Sequence, residues 1–290
     1  MKVAFLGLGV MGGPMASHLV AGGFDVVGYN RTPARADAWR ARTGATGVTS
    51  VAQAVDGAEV VFACLGDDPD VAAVIDAAED GLRAGAVFID HTTASPTLAR
   101  TLHARLASRG VGFVDAPVSG GQAGAENGAL SIMCGGGAED LERARPAMET
   151  YAARIVHIGP PGAGQLCKSV NQICIAGLLQ GLAEGVNFAR AADLDIDRVL
   201  DAIGGGAAQS WQMDNRARTM ADGAFDFGFA VDWMRKDLRI ALDEARRNGA
   251  ALPVAALVDQ FYADVQAMGG GRQDTSSLIR RLAASPADRS

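Results

Sequence analysis

From residue 2 to about 115, short apolar runs alternate with stretches whose apolar positions recur every three or four residues. The runs are Lys2–Leu6, Asp25–Tyr29, Glu59–Cys64, Ala86–Asp90 and Val111–Asp115. Between them the spacing predicts helices over Gly12–Ala21, Pro33–Arg42, Ser50–Val55, Pro69–Ala78 and Pro96–Ser108. Strands alternating with helices predict a parallel sheet covered by helices. Pro33 and Pro96 read as first-turn prolines behind the caps Thr32 and Ser95. After Asp115 a glycine-rich loop leads to strand-like Ala129–Cys134 and Arg154–Ile158 with a helix between them. Beyond Gly159 the pattern is helical almost to the end, with breaks at Gly204-Gly205-Gly206 and Gly269-Gly270-Gly271. Two domains are expected: an α/β domain over residues 1–161, and an all-helical domain over 162–290 that opens with a long interdomain helix.

Composition narrows the setting. With 290 residues, 49% hydrophobic and 20% charged, the chain can bury a sizeable core and is not disordered. Charge, Gly or Gln breaks every apolar run before it could span a bilayer, so no membrane partner is expected. Met1-Lys2 leads straight into a strand, which excludes a signal peptide and predicts a cytoplasmic protein. A net charge of -7 with no basic tract argues against nucleic acid as a partner. Cys64, Cys134, Cys167 and Cys174 lack CxxC spacing and read as buried free thiols. His18, His91, His103 and His157 are scattered, and no metal motif is present. Gly177, Gly181 and Gly185 recur every four residues in the long helix, a stripe suited to close packing within the chain or to a subunit interface. The almost uncharged stretch from Ile173 to Ala183 favours the interface, hence a homodimer or homotetramer.

Candidate chemistry begins at the first strand. Gly7-Leu8-Gly9-Val10-Met11-Gly12 follows that strand and opens the first helix, the context that a GxGxxG dinucleotide loop requires. The domain is therefore expected to be Rossmann-type, a doubly wound and mainly parallel sheet. At the end of the second strand, where an NAD site would place a carboxylate on the ribose, stand Asn30, Arg31 and Thr32. Arg31 can pair with a 2′-phosphate, and Asn30 and Thr32 can hydrogen-bond it, so NADP is favoured. NAD, with Arg31 stacked on adenine, is the alternative. Further on, Gly159-Pro-Pro-Gly-Ala-Gly leads into a long apolar helix that presents Lys168. Asn171 and Gln172, three and four residues on, share its face. A lysine buried there is expected to lose part of its affinity for the proton through desolvation, which suits it to acid/base work.

Taken with Asp115-Ala-Pro-Val-Ser-Gly-Gly121 and Lys236-Asp237-Leu238, these motifs make the chain resemble the β-hydroxyacid dehydrogenase family over nearly its whole length. That family includes 3-hydroxyisobutyrate dehydrogenase, tartronate semialdehyde reductase and short-chain semialdehyde reductases. The resemblance implies that Lys168 is the catalytic lysine and that Ser119, Gly120 and Gly121 bind the carboxylate of a small substrate. It also implies that Leu65, Thr93 and Lys236 lie at the cofactor, and that Phe229 and Asp237 join Asn171 and Gln172 around the substrate. The implied reaction interconverts a 3-hydroxy acid and its semialdehyde, with hydride passing to or from the nicotinamide while Lys168 gives or takes the proton. Asn171-Gln172 after the lysine looks more like tartronate semialdehyde reductase, whereas Ser210-Trp211 has a counterpart in the 3-hydroxyisobutyrate enzymes. The substrate stays open between those types. Trp211 and Trp233 are either a pocket wall or core. An imine reductase on the same scaffold, or a non-catalytic dinucleotide-binding module, is the competing reading; Lys168 and Ser119 count against the first, and Lys168 and the acidic balance against the second.

Overall fold

The computed structural model describes residues 1–282; of the second expected domain, residues 283–290 lie outside the described residues. The chain divides into two compact units, Met1–Lys168 and the segment from Ser169 onward.

The first unit carries nine strands: β1 (Lys2–Leu6), β2 (Asp25–Tyr29), β3 (Thr46–Val48), β4 (Val60–Ala63), β5 (Val87–Asp90), β6 (Gly112–Asp115), β7 (Val118–Ser119), β8 (Leu130–Gly136) and β9 (Ala152–Gly159). Its helices are α1 (Gly12–Ala21), α2 (Pro33–Thr43), α3 (Val51–Val55), α4 (Asp68–Ala78), α5 (Pro96–Ala107), α6 (Gly121–Glu126) and α7 (Ala138–Met148). The sheet runs β3-β2-β1-β4-β5-β6-β8-β7, with β9 also pairing β8. Strands β1 to β6 are mutually parallel, and β8 is antiparallel to both β6 and β7. The order 3-2-1-4-5-6 reverses between β1 and β4, and ligands of open α/β sheets bind outside the carboxyl ends of the strands at such a switch point.

The central strands read as unbroken apolar runs because both of their faces are buried. Alternation then sorts their side chains. Val3 and Phe5 of β1, Val60 and Phe62 of β4, and Val87 and Ile89 of β5 join a core with Met15, Leu19 and Trp39. Ala4, Leu6, Val61, Ala63 and Phe88 face the other way, against Ala54, Ile75, Ala99 and Leu102. A period of two thus builds two cores from one set of strands.

Helix α8 (Ala163–Ala191), 29 residues long, runs through the division between the units. The second unit continues with α9 (Ile196–Ile203), α10 (Trp211–Asp222), α11 (Val231–Asn248), α12 (Pro253–Ala267) and a 3₁₀ helix at Thr275–Arg281. Ala176, Leu179, Ala183 and Val186 are spaced by three or four along α8 and enter a core with Met213, Ala217, Met234, Leu238, Val258 and Tyr262. No helix among the described residues is long and apolar enough to cross a membrane.

Several expectations change. The loop after Asp115 contains β7 and α6, and the three-residue edge strand β3 shows no readable periodicity. Ser95 caps its helix by accepting from the Leu98 N–H, but the Thr32 side chain makes no cap bond; Pro33 stands in the first turn and the Thr32 carbonyl accepts the Arg35 N–H. Of the four cysteines, none in a disulfide, only Cys134 is buried, and Cys174 is exposed on α8. Trp211 and Trp233 are 56% and 40% exposed, so neither is core. Among the described residues, a methyl group added at Gly181 or Gly185 would meet nothing within 4 Å, so those two glycines serve no close approach there.

Candidate active site

The glycine loop is shaped by its neighbours. A side chain at Gly12 would collide with the Gly7 carbonyl, and one at Gly7 with the Cys64 carbonyl, so both positions require glycine for packing. Gly9 is different: the nearest atom to a methyl placed there is Arg35 Nη1, at 3.7 Å. A tight turn, an unobstructed backbone and a close helix-to-strand approach are what a dinucleotide pyrophosphate requires of such a loop. The residues present therefore fit the cofactor.

Asn30 holds this loop in place. Its Oδ1 accepts the Leu8 N–H at 3.0 Å and its Nδ2 donates to the Thr32 carbonyl at 3.1 Å. The expected phosphate-binding amide is thus engaged in positioning Leu8 and the turn into α2. Arg31 is 84% exposed and its Nη1 lies 2.7 Å from Asp70 Oδ1 in the first turn of α4. Sequence reasoning missed Arg35 beside Gly9. The signal was available: the first turn of α2 holds no acidic residue, against the usual preference of a helix N-terminus.

The carboxyl ends of β4, β5 and β6 are laced together. The Leu65 N–H donates to Thr92 Oγ1 at 2.9 Å, and the Thr92 N–H donates to Asp90 Oδ1 at 2.9 Å. His91, fully buried, stands 2.7 Å from the Ala116 carbonyl through Nδ1 and 2.9 Å from the Tyr151 hydroxyl through Nε2. A carbonyl only accepts, so Nδ1 carries the proton and Nε2 accepts from Tyr151. Burial pushes the His91 pKa down to about 4, against the raising effect of the Ala116 bond, and the ring is neutral at pH 7.

Asp115, at the end of β6, is buried under the start of α8. Its Oδ1 accepts from Gly162 N at 2.7 Å and its Oδ2 from Gln165 N at 2.9 Å, orphan donors of a helix start. Burial nevertheless outweighs these bonds and raises its pKa to about 6. Gln165, only 1% exposed, accepts from Ala94 N at 3.1 Å through Oε1 and donates to the Thr92 carbonyl at 2.7 Å through Nε2. Neither role of Gln165 was foreseen, since a lone glutamine in an apolar stretch carries no pattern.

Lys168 is 8% exposed, and its Nζ donates to the Val118 carbonyl at 2.9 Å. The next residues are Ser119, Gly120 and Gly121, so the structure brings the ammonium to the start of the expected carboxylate loop. Gly120 and Gly121 have φ of 134° and 61°, conformations that side chains disfavour, and they turn the chain from β7 into α6.

In the second unit the expected residues form a polar chain. Asn171 Nδ2 donates to Gln172 Oε1 at 2.7 Å, and Gln172 Nε2 donates to Asp237 Oδ2 at 2.7 Å. Lys236 Nζ lies 3.2 Å from Asp237 Oδ1 and 5.7 Å from the Trp233 ring centre. The longer glutamine reaches the carboxylate of α11 directly. Phe229 is held through its backbone, its N–H donating to Asp274 Oδ2 at 3.0 Å. Asp274, which sequence reasoning missed, is buried and also accepts from Arg216 Nε at 3.2 Å and Ser276 Oγ at 2.6 Å. Among the described residues no cluster of three or more His, Cys, Asp or Glu could hold a metal ion.

Comparison with known proteins matches residues 2–159 to the NAD binding domain of 6-phosphogluconate dehydrogenase, and residues 162–282 to the NAD-binding domain of NADP-dependent 3-hydroxyisobutyrate dehydrogenase. An uncharacterized oxidoreductase of Shewanella frigidimarina is 56% identical, over 97% of this chain and 98% of its own. The 2-hydroxy-3-oxopropionate reductase of Escherichia coli is 32% identical, over 97% of each chain. A solved structure of Mycobacterium tuberculosis 3-hydroxyisobutyrate dehydrogenase with L-serine superposes with a TM-score of 0.90 at 34% identity, covering 98% of this chain and 99% of that one.

Proposed function

The chain belongs to the β-hydroxyacid dehydrogenase family and is an NAD(P)-dependent oxidoreductase of 3-hydroxy acids; from that premise we propose an NADP-dependent enzyme that interconverts a small 3-hydroxy acid and its semialdehyde, with Lys168 as general acid and base. The observation that carries the mechanism is the buried Lys168 ammonium, bonded to the carbonyl of Val118 directly before Ser119-Gly120-Gly121.

Ser119 offers a hydroxyl, and the two glycines offer unhindered N–H groups to a substrate carboxylate. When bound, the nicotinamide supplies or accepts the hydride at the substrate's C3. Lys168 donates a proton to the oxygen as alkoxide character develops, and its charge stabilises that oxygen before transfer. In the oxidative direction the neutral amine takes the hydroxyl proton. Asn171, Gln172, Phe229 and Asp237 bind or support the substrate, and Leu65, Thr93 and Lys236 face the cofactor.

NADP is favoured because Arg31 follows β2, the Arg35 guanidinium stands beside Gly9 of the glycine loop, and Asn30 stands where a carboxylate would repel a 2′-phosphate. The substrate is of the 3-hydroxyisobutyrate or the 2-hydroxy-3-oxopropionate type, which differ by groups that pocket shape alone discriminates. Four cysteines outside any disulfide fit the reducing cytoplasm. At least a dimer is expected, built on the α8 face where Gly181, Gly185 and the 72%-exposed Phe188 stand uncovered. Turnover of NADPH with a panel of small semialdehydes tests the reading: one substrate should be reduced with high efficiency, and inertness towards every carboxylate-bearing aldehyde would overturn it.

A further inference from the structure

We propose that Gln165 is a positioning residue that sets the Lys168 helix against the loop presenting Thr93. The inference rests on Lys168 being the proton donor and deepens that reading. Two side-chain bonds of Gln165 go to the backbone flanking Thr93: its Oε1 accepts the Ala94 N–H and its Nε2 donates to the Thr92 carbonyl. The peptide groups on either side of Thr93 are therefore clamped by one amide, which fixes the direction in which Thr93 projects. The same Thr92 accepts the Leu65 N–H through its hydroxyl, so the loop is also tied to the end of β4.

The other end of the clamp is equally fixed. Gln165 donates its own backbone N–H to Asp115 Oδ2, and Gly162 donates to Oδ1 of the same carboxylate, so the first turn of α8 cannot slide along β6. Lys168 follows Gln165 by three residues, one turn on, and leans over the same helix face. Two groups that must meet one substrate carbon and its oxygen, the proton donor and the residue expected at the nicotinamide, thus take their separation from one side chain. A carboxamide suits this task because it donates from one atom and accepts at another. At 1% exposure no water replaces a lost bond, so removing either half leaves a buried backbone group unpaired.

The test compares Gln165→Glu, which retains an acceptor for the Ala94 N–H but sets a carboxylate oxygen against the Thr92 carbonyl, with Gln165→Met, which removes both bonds. With NADPH and a cognate semialdehyde, kcat should fall roughly 10- to 100-fold in each, the scale of a misplacement near 1 Å. The KM for NADPH should change less than about threefold, and the kinetic isotope effect with C4-deuterated NADPH should rise as hydride transfer becomes limiting. A variant with a lowered melting temperature but wild-type kcat and isotope effect would overturn the proposal. A second measurement needs no turnover: the pH dependence of Lys168 acylation, mapped by mass spectrometry, should shift in both variants, and an unchanged profile would reject the positioning role. Should the unmodified enzyme reduce no semialdehyde, the functional reading fails, and the acylation profile decides the positioning claim separately. If Gln165→Met does not fold, Gln165→Glu carries both measurements.

Discussion

Arg31 Nη1 stands 2.7 Å from Asp70 Oδ1, so the guanidinium proposed to meet a 2′-phosphate is already held by a carboxylate on the neighbouring helix. The pair is exposed enough that its own energy is small, below about 1 kcal/mol. On the NADP reading, Asp70 would oppose the cofactor more than it stabilises the fold, because its charge lies beside the guanidinium proposed for the 2′-phosphate. Asp70→Asn should therefore tighten NADPH binding a few-fold and leave NADH unchanged. Arg31→Asp should reverse the cofactor preference. Fluorescence titration with both cofactors checks each, and equal efficiency with NADPH and NADH in the unmodified enzyme would remove the argument.

Lys168→Ala should lower kcat by roughly two to four orders of magnitude, with NADPH affinity nearly unchanged, because the residues proposed to bind the cofactor, the glycine loop and the α2 turn, do not include the lysine. Lys168→Arg should not rescue the rate, since a guanidinium keeps its proton near neutral pH. Stopped-flow reduction of a cognate semialdehyde distinguishes the outcomes. Recovery by arginine would make Lys168 an electrostatic anchor only.

His91 and Asp115 pull stability in opposite directions with pH. His91 titrates at about 4 when folded, against 6.5 as the ordinary value, so the native state binds fewer protons than the unfolded chain between those limits. Stability is lost as pH falls from 6.5 and the loss is complete below 4, amounting to about 3 kcal/mol. Asp115 titrates at about 6 when folded, against 3.8, so the native state gains stability as pH falls through that window. Over the overlap from 4 to 6 the two largely offset each other. His91→Gln removes one side of the balance. Urea denaturation from pH 7 to 4 should show the wild type losing stability relative to His91→Gln by that amount, and parallel curves would mean that His91 does not titrate as its burial requires.

The uncovered face of α8 predicts association. Light scattering at micromolar concentration should give at least a dimer, and Phe188→Glu should shift it towards monomer without loss of helicity. A monomeric wild type would reject the interface.

The strands of the first unit were readable because burial of both faces leaves unbroken apolar runs, and β1, β2 and α1 fall on the expected residues. The cofactor loop was readable because glycine spacing reports backbone geometry directly. What escaped was the polar wiring. Asn30 was expected to meet a phosphate, yet its side-chain oxygen is taken by Leu8, since a buried amide answers to the nearest unpaired backbone group. Gln165 and Asp274 act through partners 71 and 45 residues away in sequence, as with Ala94 and Phe229, and no local pattern encodes such a pairing. Lys168 was legible by contrast, because a cation at the head of an apolar helix is costly and therefore conspicuous.

The seat of Asp115 bears on how this polypeptide can be divided or recombined. Its carboxylate belongs to β6, but the amides that satisfy it come from residues beyond the last strand, at Gly162 and Gln165. A fragment cut at Gly159 would keep the entire sheet yet lose the Gly162 and Gln165 amides that hold the Asp115 carboxylate, whereas one extended through Lys168 keeps both. A chimera joined at the loop before α8 would likewise set a foreign helical turn beneath Asp115 and work only with a donor that supplies the same turn. The natural seam for exchanging parts lies inside the helix, one turn past the glutamine.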